Sequence, residues 1–167
     1  MTEKFLCLIA TFDEETSKRM IEIQHIINEA GIVGKQTPNI PHHITLAYFD
    51  ISREDEIEQL LREVCARTKR FDLSFNHIGL FGLKVLFLAP DVNYELLELH
   101  KSFDRDCIKG EQGWTAHATI LIDEAENIQK ALPLVAQNFQ QLNGRVERVS
   151  LYEFFPTRFI AEYSLQL

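Results

Sequence analysis

Two tripeptides carry residue types that can do chemistry together. His43-Ile44-Thr45 lies in "PHHITLAYF" and His117-Ala118-Thr119 in "WTAHATILI", and both the His and the Thr recur at an interval of 74 residues. Histidine is the side chain that exchanges a proton near neutral pH. Two of them facing one small site can take a proton from an attacking hydroxyl or water and give one to a leaving oxygen. Each such transfer is worth about 10²–10⁴ in rate. Threonine hydroxyls can donate to the non-bridging oxygens of a phosphate held between them. The set points to in-line phosphoryl transfer without a metal, and exchanging the two histidine roles runs the reverse reaction.

The tripeptide alone is a weak signal. Six histidines and nine threonines give roughly 0.3 His-x-Thr by chance. The setting carries more weight. Each copy follows a loop and falls in an apolar segment of strand length. Side chains along a strand alternate faces, so His43 shares a face with Thr45, and His117 with Thr119. Ile44, Leu46, Ala118 and Ile120 then point the other way, into a core.

The elements that must hold these residues follow from periodicity. "FLCLIATF" reads as a buried strand. A helix follows, capped by Asp13, with Met20, Ile23, Ile27 and Ala30 at helical spacing and Gly31 as its stop. "GKQTPNIP" is loop, and "HHITLAYF" is the strand of the first motif. Ser52 is expected to cap a second helix carrying Ile57, Leu60, Leu61, Val64 and Cys65, and "RFDLSFNHIGLF" alternates as a half-buried strand. The order then repeats. "KVLFLAP" is a strand, Leu96, Leu99, Phe103 and Cys107 mark a helix, and "TAHATILI" is the strand of the second motif. Ile128, Leu132, Val135 and Phe139 mark a further helix that Pro133 is expected to break or to restart as a second segment. "RVERVSLYEFF" and, after Pro156, "RFIAEYSLQL" are strands. The chain thus reads as strand–helix–strand–helix–strand twice plus a last strand, with halves of roughly 1–82 and 83–167 in one domain. If a pseudo-two-fold relates the halves, the four polar residues line one cleft from both sides.

Composition bounds the function. The 167 residues, 46% hydrophobic and 25% charged, are those of an ordinary globular protein. No apolar run reaches the ~18–20 residues of a membrane span, and the N-terminal stretch reads as a first strand rather than a leader. Cys7, Cys65 and Cys107 form neither C-x-x-C nor an even set, so a disulfide framework and a cysteine zinc site are disfavoured and a reducing cytoplasm is expected. A formal charge of −8 disfavours a protein that coats long nucleic acid and favours a short substrate.

With these residues in hand, the chain resembles the 2H phosphoesterase superfamily, which includes bacterial 2′-5′ RNA ligase-like proteins and 2′,3′-cyclic nucleotide phosphodiesterases. The resemblance rests on "HHITLAYF" and "AHATILI" and on the doubled strand–helix order over nearly the whole chain. The second motif departs just upstream, where Thr115-Ala116 stands in place of a proline often found before that histidine. The resemblance implies a bilobal α+β fold with two antiparallel-rich sheets around a central cleft. It implies that His43 and His117 are the acid/base pair and that Thr45 and Thr119 bind phosphate, with no cofactor. The implied partner is a nucleotide or RNA terminus bearing a 2′,3′-cyclic phosphate or a 2′-5′ linkage.

Other readings stand beside this one. The same cleft could bind a nucleotide or RNA end without turnover, or the pairs could be accidents of a structural α+β domain. A zinc site would need a third ligand, and no H-x-x-x-H or H-E-x-x-H occurs. Threonine is also a poor zinc ligand. His42 is expected on the opposite face from His43, and His25, His77 and His100 on surface or core. Tyr48, Phe81, Trp114 and Tyr152 are candidates for stacking on a base. Lys35, Lys84, Arg105, Lys109 and Arg158 are candidate cations near the cleft.

Overall fold

A computed structural model describes residues 3–111 and 113–167. The elements follow the expected order: β1 (Phe5–Phe12), α1 (Glu14–Glu29), β2 (His43–Asp50), α2 (Glu54–Arg67), β3 (Phe71–Phe81), β4 (Val85–Pro90), α3 (Tyr94–Phe103), β5 (Ala118–Ile122), α4 (Ala125–Asn138), β6 (Leu142–Phe154) and β7 (Arg158–Ser164). The fold is α+β with antiparallel strand pairing, as the family resemblance implied.

Local chemistry explains most boundaries. The Asp13 carboxylate accepts from Thr16 N at 3.1 Å, and Glu14 and Glu15 fill the first turn beside the positive end of the helix dipole. Asn93 caps α3 in the same way. The lead-in to α2 is capped by Asp50 rather than Ser52, because a short 3₁₀ turn over Ile51–Arg53 sets the cap earlier. α3 stops at Phe103, so Cys107 lies in the following loop. Pro133 does not break α4. Its ring lies on the exposed face while Ile128, Ala131 and Val135 bury the opposite one. The hydrogen bond that proline removes therefore leaves a carbonyl that water can satisfy.

The sheet is where the halves meet. Its order is β1-β2-β5-β4-β3-β6-β7, with β1 also paired to β6. β1 lies between β2 and the later part of β6, whereas β4 lies between β5 and β3. The third strand of each half thus crosses into the sheet of the other. The two antiparallel arrays join where β3 pairs with the start of β6 and where Ile44 pairs with Ala118. α2 packs on β6 and β7, α3 on β2, and α1 on α4, β5 and β6. One core runs through both arrays: Leu6, Leu8, Phe12, Ile44, Leu46, Phe75, Leu88, Phe103, Ile128 and Leu151 are all fully covered.

Candidate active site

The pairing of Ile44 with Ala118 is the centre of the site. Both are buried on the core side. The antiparallel register around them sets His43 across from Thr119 and Thr45 across from His117, all four on the opposite face. A charge on His117 acts on His43, and both rings border the same space. All four residues line a single cavity of about 290 Å³.

The two motifs share further details. His43 Nδ1 donates to the Pro41 carbonyl at 2.8 Å, and His117 Nδ1 donates to the Thr115 carbonyl at 2.7 Å, the acceptor lying two residues upstream in each case. Each bond fixes the ring and places the proton of the neutral form on Nδ1, which leaves Nε2 as the free base. Each Thr is also followed by a bulge. Leu8 pairs with Ala47 and Ile9 with Thr45, leaving Leu46 without a partner. Leu86 pairs with Leu121 and Phe87 with Thr119, leaving Ile120. Leu46 and Ile120 stand at the same 74-residue interval as the histidines. A bulge bends its strand and re-aims neighbouring side chains, here at the residue after each threonine.

Burial lowers the pKa of both His43 and His117, against the raising effect of their bonds to Pro41 and Thr115. The charge that would sit on His117 lowers His43 further. Both rings are therefore disposed to be neutral in the open cleft. Phe81 meets His117 edge-on with centroids 4.7 Å apart, and Phe87 supports it at 5.3 Å. Thr45 also neighbours the Cys7 thiol, which burial pushes up to about 12 and keeps protonated.

Several expectations are corrected. Strand β5 begins at Ala118, so His117 sits just before the strand rather than within it. It still shares the cavity with Thr119. His42 is not on the far face. It precedes the first residue of β2, where strand alternation does not yet apply, and it lines the cavity beside His43. Burial, and then the neighbouring His43, push its pKa down to about 4. Of the stacking candidates, Tyr48 and Phe81 line the cavity, while Trp114 lines an adjoining one of about 250 Å³ shared with Thr45, Tyr48, Phe81 and His117. Tyr152 lies outside the lining, packed against Phe154. Phe5, Phe154 and Phe155 complete an aromatic wall that strand patterning alone does not reveal. Phe5 faces Phe154 only through the β1–β6 register.

None of the five candidate cations lines the cavity. Lys35 pairs with Glu124, Arg158 with Glu54 and Glu153, Arg105 with Asp106 and Lys109 with Asp104. Among the described residues, the lining consists of imidazole, hydroxyl, amide, thiol and hydrocarbon groups. Such a site offers imidazole bases, hydroxyl donors for a phosphate and aromatic faces for a planar substituent.

Comparison with known proteins gives the family and the fold. Residues 13–154 match the model of the 2′-5′ RNA ligase superfamily. No curated protein matches the sequence. Solved structures do match in shape. Escherichia coli LigT in complex with ATP superposes with a TM-score of 0.66 at 17% identity, covering 98% of both chains. LigT with 3′-AMP gives 0.68 at 15% identity over 98% of this chain and 99% of that one. TT0787 of Thermus thermophilus gives 0.69 at 15% over 97% and 98%. At these identities the likeness is one of fold. Together with the matched family model, it makes the chain a member of the 2′-5′ RNA ligase superfamily, a group of 2H phosphoesterases.

Proposed function

We propose that the protein is a metal-independent, two-histidine phosphodiesterase or RNA ligase-like enzyme. Its substrate is a nucleotide or RNA end in which a ribose 2′-oxygen is esterified to phosphorus, as a 2′,3′-cyclic phosphate or a 2′-5′ linkage. The observation that carries this reading is the matched placement of two imidazoles in one cavity, each with Nδ1 tied to a carbonyl and Nε2 left free.

With a 2′,3′-cyclic phosphate, a water oxygen bonds to phosphorus as the P–O3′ bond breaks. One Nε2 takes the proton from water. The other histidine, protonated, gives its proton to the departing 3′-oxygen, and the product is a 2′-phosphate. The hydroxyls of Thr45 and Thr119 donate to the non-bridging oxygens as charge builds there. Burial holds both histidines neutral in the open cleft. The arriving phosphate anion favours the charged form of the one that acts as acid. A ribose hydroxyl in place of water runs the chemistry as ligation. The bound ATP, 3′-AMP and NADP+ of the E. coli LigT structures support a nucleotide-sized ligand, as do the cavity volume and the net charge of −8.

The test is hydrolysis of a 2′,3′-cyclic mononucleotide and of an oligonucleotide ending in a cyclic phosphate, with EDTA present, for wild type, His43→Ala and His117→Ala. The expected result is EDTA-resistant formation of a 2′-phosphate, a bell-shaped pH dependence, and a loss of about 10²–10⁴ in kcat for each variant. Turnover that required added metal would overturn the mechanism. Ligand binding without turnover by the wild type would instead make the cleft a binding site.

A further inference from the structure

The bulge at Leu46 does more than turn Thr45. In a regular antiparallel strand successive carbonyls point to opposite edges. Here the consecutive carbonyls of Thr45 and Leu46 are both captured by one pair of stacked rings. Trp114 Nε1 donates to the Thr45 carbonyl at 2.8 Å, and His100 Nδ1 donates to the Leu46 carbonyl at 2.8 Å. The two rings lie 3.8 Å apart at an interplanar angle of 5°. Trp114 comes from the loop that leads into His117, and His100 from α3. One indole thus ties the backbone of Thr45 to the segment that presents the opposite histidine.

Among the described residues the second motif has no such device. Its bulge at Ile120 is flanked instead by the loop before β2, whose Lys35 N and Gln36 side chain bond the backbone of Ile122. Among the described residues no side chain bonds the Thr119 or Ile120 carbonyl. Between the two motif strands, direct ladder pairing is confined to Ile44 and Ala118. The ladder therefore does little by itself to hold Thr45 at a set distance from His117.

We infer that Trp114 and His100 form a clamp that positions Thr45 against His117. The pair acts through the β2 backbone and does not touch the reacting atoms, so both are positioning residues. The inference rests on the reading of Thr45 as a phosphate ligand. It requires that loss of the indole N–H act through Thr45 and not through Thr119.

Trp114→Phe keeps an aromatic ring and removes the N–H together with part of the stacking area, and the double-mutant comparison below separates the two. Kinetics on a 2′,3′-cyclic nucleotide are measured for Trp114→Phe alone and combined with Thr45→Ala or with Thr119→Ala, and the melting temperature is recorded for each. One neutral hydrogen bond is worth about fivefold, so kcat falls about fivefold with KM little moved. In the Thr45→Ala background Trp114→Phe costs nothing further, and in the Thr119→Ala background the two losses multiply. His100→Asn, which keeps a donor near the position of Nδ1, recovers most of the activity that His100→Ala loses. Multiplying losses in both backgrounds, an unchanged kcat, or losses that track the melting temperature alone would overturn the clamp. A wild-type kcat for Thr45→Ala would overturn the reading of the site, and the clamp with it.

Discussion

Replacing His42 with glutamine should flatten the acid side of the stability curve. Folding moves the His42 pKa from 6.5 to about 4, mainly by burial and then by the charge of His43. Between those values the unfolded chain holds the proton and the folded one does not, so stability is fully present above pH 6.5 and is lost as pH falls toward 4. Linkage puts the loss between pH 7.5 and 5 at about 2 kcal/mol, an upper value because the ring is only half-buried. Urea unfolding at pH 7.5 and 5, for wild type and His42→Gln, reads this as a difference of differences. With a denaturant slope on the order of 2 kcal/mol per molar, the wild-type midpoint should fall by up to about 1 M more than that of the variant. His43 and His117 lean in the same direction and remain in both proteins, so the difference isolates His42 together with its coupling to His43. Equal slopes with pH in the two proteins would refute the argument.

Gly79→Ala should lower kcat, because a Cβ there would stand 2.2 Å from the Phe87 ring, which is itself wedged against Phe81 and His117. Enlarging Phe87 to tryptophan should act in the same direction. Phe75→Ala, at a fully covered ring packed edge-on to Phe12, should cost about 3–5 kcal/mol of unfolding free energy. Arg158→Ala should lower the urea midpoint more than Arg105→Ala does, since it removes a partner of the buried Glu153 carboxylate, whereas the Asp106 partner of Arg105 is exposed.

The order of elements was legible because each has its own apolar period and its own stop. The i, i+3, i+4, i+7, i+8 run of Ile57, Leu60, Leu61, Val64 and Cys65 is one helical face, and in α2 all of these except Leu60 are buried. The first His-x-Thr was legible because an i, i+2 spacing on a strand needs no tertiary information, whereas His117 precedes β5 and is held by its bond to the Thr115 carbonyl. His42 departs from its expected face for a related reason: alternation assigns faces only inside a strand, and β2 starts one residue later. The aromatic wall, the pairing of Lys35 with Glu124 and of Arg158 with Glu54, and the contact between His100 and Trp114 depend on register between segments far apart in the chain. Pro133 shows the reverse case, in which a strong local rule yields because the ring lies on the wet face of a helix anchored by its other side.

The exchange of third strands between the halves has a consequence for how the chain comes to be folded. β1 cannot gain its second neighbour until β6 exists, some 140 residues later in synthesis. A nascent first half therefore carries an open strand edge of the kind that recruits other chains. Pairings of such long range make loop closure costly and folding slow relative to helical proteins of the same size. Fragments 1–82 and 83–167 made separately would each lack a strand that the other holds. Mixing them should restore the β1–β6 ladder by association, at a rate that rises with concentration.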